Sequence, residues 1–332
     1  MKSIVLCERE RNIYNVYPKH ILEELKDYGF DGNIYSKSDI INDADLFQQT
    51  EYIFSTWGMP EFTEDEIRSC LPNLKCVFYA AGSVQKFAHQ FINCGVKVFS
   101  AWAANAVPVA EYTVAQIILA NKGFYSTSRI FKSGKYIASR DEVSNYRGNY
   151  GVSVGIIGAG MIGKLVIKML KAYNLKVKVF APFLPDDIAE ELNVEKVTLE
   201  EIFSTCTVVS NHLANNEQTQ NMLNYELFSL MPEHATFLNT GRGAQVVEDD
   251  LIKFLEKRPD VTAVLDVTMP EPPLDGSKLY TLENCILTPH IAGSFGDEVH
   301  RMAEYMIEEF KNLTENTPCK YEVTKEMLKT MA

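Results

Sequence analysis

The stretch Val152–Gly163, VSVGIIGAGMIG, decides how the rest of the chain is read. Val152, Val154, Ile156 and Ile157 are strand-forming residues bounded by glycine, the mark of a short buried strand. Gly158, Gly160 and Gly163 follow at G-x-G-x-x-G spacing, and Lys164–Tyr173 (KLVIKMLKAY) continues with apolar residues at helical intervals. Gly158 permits a tight turn, Gly160 lets the backbone approach a pyrophosphate, and Gly163 lets helix and strand pack closely. The helix start that follows then offers unpaired N–H groups and a positive dipole end to phosphate. A plain strand–helix turn also uses glycine. The strand before and the helix after are the context a dinucleotide site needs, and they favour that reading.

Outward from this stretch, strand and helix patterns alternate, which implies parallel strands in an α/β fold. Towards the N-terminus, Ser3–Cys7, Asn33–Tyr35, Tyr52–Ser55, Cys76–Tyr79 and Val96–Phe99 read as strands. Helices are expected over Pro18–Lys26, Gln85–Asn93 and from Thr63 to Cys70, where Thr63 and Glu66 form a capping box. Pro108–Leu119 (PVAEYTVAQIIL) reads as a helix starting on its proline and apolar on nearly every side, hence buried. Asp141–Tyr150 is polar and turn-rich. Beyond the glycines, strands are expected at Val177–Phe180, Thr207–Ser210, Thr236–Leu238, Ala263–Val267 and Ile286–Leu287, with helices between most of them. A last helix, Asp297–Leu313, has Ser294 and Asp297 as its capping box and Met302, Met306, Phe310 and Leu313 along one stripe.

The expectation is two Rossmann-like or flavodoxin-like lobes, each a doubly wound parallel sheet, with a cleft between them. The last helix follows a completed sheet and is assigned back to the first lobe. The domains are then residues 1–104 with 298–332, and residues 105–297. At 332 residues, two domains are the better prior. The net charge of −12 argues against nucleic acid or an acidic membrane surface as the main partner. No apolar run approaches the length of a membrane span, and the N-terminus lacks the form of a signal peptide. Seven scattered cysteines without C-x-x-C suggest reduced thiols in a cytoplasmic protein.

Ligands of open α/β sheets collect at the carboxyl ends of the strands, and that rule screens the polar residues. Arg242 follows one predicted strand in NTGRG, and His290 follows another in LTPHIAG. Asp266 lies near the end of a third, with Glu271 in the loop beyond. Arg242 suits a substrate carboxylate, which it can grip with paired N–H bonds. His290 suits proton exchange with an oxo oxygen, and Glu271 suits the other ring nitrogen. Taken singly, each has another reading: a surface arginine in a turn, a solvated loop acid, a structural histidine. Placed together at one sheet edge beside a nicotinamide, they form a set able to reduce a 2-oxo acid. His20, His89, His212, His234 and His300 show no metal-ligand spacing, so they read as structural or surface residues and no metal is expected.

GIIGAGMIG (Gly155–Gly163), HLANNEQT (His212–Thr219), FLNTGRGAQVVEDDLI (Phe237–Ile252), LDVTMPEPP (Leu265–Pro273) and LTPHIAG (Leu287–Gly293) resemble successive signatures of the D-isomer-specific 2-hydroxyacid dehydrogenases. The resemblance extends to AAGSV (Ala80–Val84) and NAVPVAEYT (Asn105–Thr113). It implies an NAD(P)-dependent enzyme that interconverts a small 2-oxo acid and its D-2-hydroxy acid, with Arg242, Glu271 and His290 as the catalytic set. It places Asp266 near the nicotinamide and Thr240 and Gly241 along the cofactor, together with Met161, Ile162, Thr219, Arg242, His290 and Gly293. It also implies substrate-carboxylate contacts from the backbone of Gly82, Ser83 and Val84, and a homodimer. Trp57 and Asn105 are further candidates for the substrate side, although Trp57 packed in the lobe core is an equal reading. The family's acidic residue for the adenosine ribose is replaced by Ala181, and no Arg or Lys follows closely. NAD is the expected cofactor, with NADP left open. A dinucleotide-sensing regulatory protein, like the family's corepressors, is the alternative. Formate oxidation fits less well, because relatives with that activity pair the histidine with an amide.

Overall fold

A computed structural model describes residues 2–329. It divides into two compact units, one formed by Met1–Asn105 with Ser294–Ala332 and the other by Ala106–Gly293.

The first unit is built on strands β1 (Ser3–Leu6), β2 (Ile34–Tyr35), β3 (Tyr52–Ser55), β4 (Cys76–Tyr79) and β5 (Lys97–Ser100). They pair in parallel in the order β2-β1-β3-β4-β5, a flavodoxin-like order. Phe54, Phe78 and Phe99 stack across three adjacent strands, with ring centroids 5.1 and 4.9 Å apart. Phe310 of the helix His300–Thr314 meets Phe54 and Phe78 edge-on at 5.4 and 5.5 Å. Met302, Met306 and Phe310 are fully buried, each worth about 1.5–3 kcal/mol of apolar transfer, which seats this helix on the sheet. Thr63 and Glu66 form their reciprocal cap at the start of Glu64–Cys70.

The second unit holds β6 (Tyr150–Ile157), β7 (Asn174–Phe180), β8 (Glu195–Lys196), β9 (Val208–Asn211), β10 (Thr236–Asn239), β11 (Thr262–Leu265) and β12 (Cys285–Leu287). All pair in parallel in the order β12-β11-β10-β9-β6-β7-β8. The order reverses between β6 and β9, and ligands bind beyond the carboxyl ends at such a point. The fingerprint glycines lie there. Gly158 has φ +94°, and a Cβ on it would lie 2.6 Å from the His212 carbonyl oxygen. A Cβ on Gly163 would lie 2.1 Å from the Gly158 carbonyl oxygen, so strand, turn and helix can meet only without side chains.

Four expectations are corrected. The apolar helix spans Trp102–Asn121, with Pro108 inside it rather than at its start. Interior proline costs about 3 kcal/mol in a helix. Here Ala104, Ala106, Val109 and Ala110 are buried around it, and their packing carries the helix through. The longer helix also corrects the expectation about membrane spans: it is long and apolar enough to cross a bilayer by length and composition, and over half of it is buried within the protein. Part of the stretch read as polar and turn-rich belongs to the helix Tyr136–Val143, which pairs with Phe124–Lys132. Asp297 does not close a capping box with Ser294. The Glu298 carboxylate instead accepts from the Phe295 amide at 3.0 Å, while the Ser294 amide donates to Asn105 Oδ1 at 2.9 Å.

Candidate active site

The carboxyl edge of the second sheet brings the candidate chemistry together. His290 Nδ1 lies 2.7 Å from Glu271 Oε1. His290 adopts φ +55°, in the left-handed region that few residues other than glycine enter. Its amide is held by the carbonyls of Asp266 and Thr288, at 3.1 and 3.0 Å. Asp266 is 2% exposed, and its carboxylate is committed to the same loop. Oδ1 accepts from the Ile291 amide at 2.8 Å and from Thr288 Oγ1 at 2.6 Å, while Oδ2 accepts from the Ala292 amide at 2.9 Å. Asp266 therefore fixes the backbone on both sides of His290.

Arg242 follows β10. Its Nη1 donates to the Gly241 carbonyl at 2.8 Å. Burial lowers its pKa from the ordinary value, and the Glu271 carboxylate partly offsets this. Arginine stays charged under such a shift, so the half-buried guanidinium can take up an anionic ligand. The next residue, Gly243, packs so tightly that a Cβ would lie 2.0 Å from the Thr268 carbonyl carbon. The Arg242 turn and the loop leading to Glu271 are thus in contact.

The cofactor candidates line the same edge. Gly160 caps the helix Met161–Leu170 without a side-chain bond, and a Cβ there would meet nothing within 4 Å. The start of this helix therefore has open space beside Gly160, as a pyrophosphate requires. Thr240 is buried, its hydroxyl 3.2 Å from Thr113 Oγ1 and 3.5 Å from His212 Nδ1. Thr219 is also buried and closes its own loop, donating to the Ala214 carbonyl at 2.6 Å. Gly241 and Gly293 flank the Arg242 turn and the His290 loop, and Ala181 directly follows β7.

Lys196 escaped the sequence reading. β8 pairs with β7 so that Lys196 stands beside Val179, and with Ala181 it lines a cleft of about 460 Å³. Its Nζ donates to the Leu184 carbonyl at 2.8 Å and to Asp186 Oδ1 at 2.7 Å. A two-residue strand leaves almost no periodic signal, so the residue was invisible without the sheet. Asn211, Asn239 and Gln245 were also missed. All three are buried amides joining the loops at this edge.

The substrate-side candidates of the first unit lie at the carboxyl edge of its own sheet. Gly82, Ser83 and Val84 follow β4, with Ser83 exposed and Val84 buried. Trp57 follows β3 and is 41% exposed, which excludes a fully buried core position for it. Asn105 lies in the helix Trp102–Asn121 and is committed to Ser294.

Sheet order, glycine turn and edge residues together define a dinucleotide-binding α/β protein. Residues 114–292 match the model of the D-isomer specific 2-hydroxyacid dehydrogenase NAD binding domain. The chain is 33% identical over 204 residues to a Bacillus subtilis (strain 168) protein named as a 2-hydroxyacid dehydrogenase, YoaD, covering 60% of this chain and 58% of that one. It is 30% identical to a hydroxypyruvate reductase of Thermotoga maritima, covering 66% and 71%. A phosphoglycerate oxidoreductase structure from Rhizobium etli shares the fold, with a TM-score of 0.81 at 19% identity over 98% and 99% of the two chains. The chain belongs to the D-isomer-specific 2-hydroxyacid dehydrogenase family, and its second unit is the family's NAD-binding domain. The matched stretch spans only 40 to 58% of the length of the first curated relatives.

Proposed function

We propose that the protein interconverts a small 2-oxo acid and its D-2-hydroxy acid, with NAD as the hydride carrier. The observation that carries this reading is the 2.7 Å imidazole–carboxylate pair of His290 and Glu271 on the edge that also holds Arg242. Bound nicotinamide supplies the hydride in reduction and accepts it in oxidation. Arg242 grips the substrate carboxylate through two N–H groups and polarises the adjacent carbonyl. Glu271 accepts from Nδ1–H of His290, which fixes the tautomer and leaves Nε2 to give a proton to the oxo oxygen or take it back. Asp266 acts through the loop backbone and keeps the ring in place.

The glycine turn and the N-terminus of Met161–Leu170 fit a pyrophosphate, and the cleft beyond β7, lined by Ala181, Lys196, Glu200 and Glu201, is the place for an adenosine ribose. The test is a panel of 2-oxo acids, from glyoxylate and hydroxypyruvate to longer apolar acids, with NADH and with NADPH. Oxidation of NADH and a product of D configuration are expected. No turnover on any acid, or an L product, would overturn the proposal.

A further inference from the structure

We propose that Gln245 is a positioning residue that couples the cofactor edge to the grip of Arg242, on the proposed reading of Arg242 as the carboxylate-binding group. Gln245 is fully buried, and every polar valence of its amide is used. Its Oε1 accepts from Asn211 Nδ2 at 2.6 Å and from the Arg242 amide at 3.2 Å. Its Nε2 donates to the Leu213 carbonyl at 2.7 Å and to the Ala214 carbonyl at 3.0 Å. The orientation of this amide is unambiguous, because a backbone N–H can only donate and a carbonyl can only accept.

Two asparagines complete the frame. Asn211, at the end of β9, also donates to Asn239 Oδ1 at 3.0 Å. Asn239, at the end of β10, accepts from the Gly241 amide at 3.1 Å and donates to the Arg242 carbonyl at 3.3 Å. Side-chain amides thus hold both backbone polar groups of Arg242, and its guanidinium leans on the Gly241 carbonyl within the same frame. A Cβ on Gly241 would lie 2.9 Å from Gln245 Oε1 and 3.0 Å from Asn211 Nδ2, so the frame leaves no slack.

The other end of Gln245 faces the fingerprint. Leu213 and Ala214 continue from His212, whose carbonyl abuts Gly158 of the phosphate turn. One buried amide therefore bridges the backbone beside the phosphate turn and the backbone of Arg242. Desolvating such groups is costly, and apolar side chains of the same size would fill this space more cheaply. A geometric constraint is what the amides add. Dinucleotide binding orders the 158 and 213–214 backbone, and through Gln245 that order reaches Arg242, so substrate binds more tightly once the cofactor is in place.

The test measures oxamate, an unreactive carboxylate analogue of 2-oxo acids, binding to the full chain with and without saturating NADH. In the wild type, NADH is expected to tighten oxamate binding about tenfold or more. In Gln245→Met this enhancement should collapse towards onefold. KM for the 2-oxo acid should rise about tenfold while kcat changes little and NADH binding alone is kept. The double variant Asn211→Leu, Gln245→Met, which also removes the bond from the Leu213 amide to Asn211 Oδ1, tests the frame as a whole, with urea unfolding to show that each variant is folded. It should show the same split. Folded variants with wild-type KM and wild-type enhancement would overturn the proposal alone. A wild type that neither binds oxamate nor turns over any 2-oxo acid would overturn the reading of Arg242 and this proposal together.

Discussion

His290 occupies a backbone conformation that costs about 1–3 kcal/mol where a side chain is present, and Asp266 supplies the bonds that hold it there. Strain of this kind persists where the surroundings over-determine it, and a carboxylate with three donors does so. Arg242 is held differently, by the amide frame of Asn211, Asn239 and Gln245. Because Arg242 is asked to bind the substrate before reaction as well as during it, Arg242→Ala should raise KM at least tenfold and also lower kcat. Steady-state kinetics with the preferred acid would show this, and a change confined to kcat would contradict the assigned role. The residues proposed to carry the chemistry were legible because each lies beyond a strand whose end could be read from sequence. The amides proposed to position them were not, since a buried Gln or Asn leaves no periodic mark and the partners lie 28 and 34 positions apart in the chain for Asn211–Asn239 and Asn211–Gln245.

At the scale of elements, sequence patterning served well where burial follows period and badly where packing overrides local preference. The strands β3 and β4 and the Thr63 cap are found where alternation and spacing place them. Pro108 misled because its preference for a helix start is weaker than the burial of the alanines on either side. His212, just past β9, shows what burial does to a titrating group. With Nε2 2.8 Å from Ser210 Oγ, its ring is pushed down to about 3 by burial. The unfolded chain takes up this proton below about pH 6.5, whereas the folded chain does not until near pH 3. The contribution is therefore complete above pH 6.5 and is lost as pH falls towards 3, amounting to about 2 kcal/mol at pH 5. Urea unfolding at pH 7 and pH 5 should show a loss that is smaller by that amount in His212→Asn. Equal losses in the two proteins would refute the assignment.

At the scale of the whole chain, the alternation of strands and helices predicts parallel sheets, whereas the two strand orders are visible only in the structure, which also groups the last helix with the first unit. The helices Phe124–Lys132 and Tyr136–Val143 present Phe131, Tyr136 and Ile137 to solvent at 57, 55 and 69% exposure. Three large apolar groups on one helical pair support the proposal of a homodimer through the second unit. Light scattering should give twice the chain mass, and Phe131→Asp with Ile137→Asp should give the single mass. A wild type that stays monomeric at high concentration would contradict it.

The account rests on proton exchange by His290, and the direct measurement is turnover by His290→Ala alongside its affinity for NADH. A kcat at least about a hundredfold below wild type with unchanged NADH binding is the predicted result. Turnover near the wild-type rate by a folded variant that binds NADH normally would contradict it.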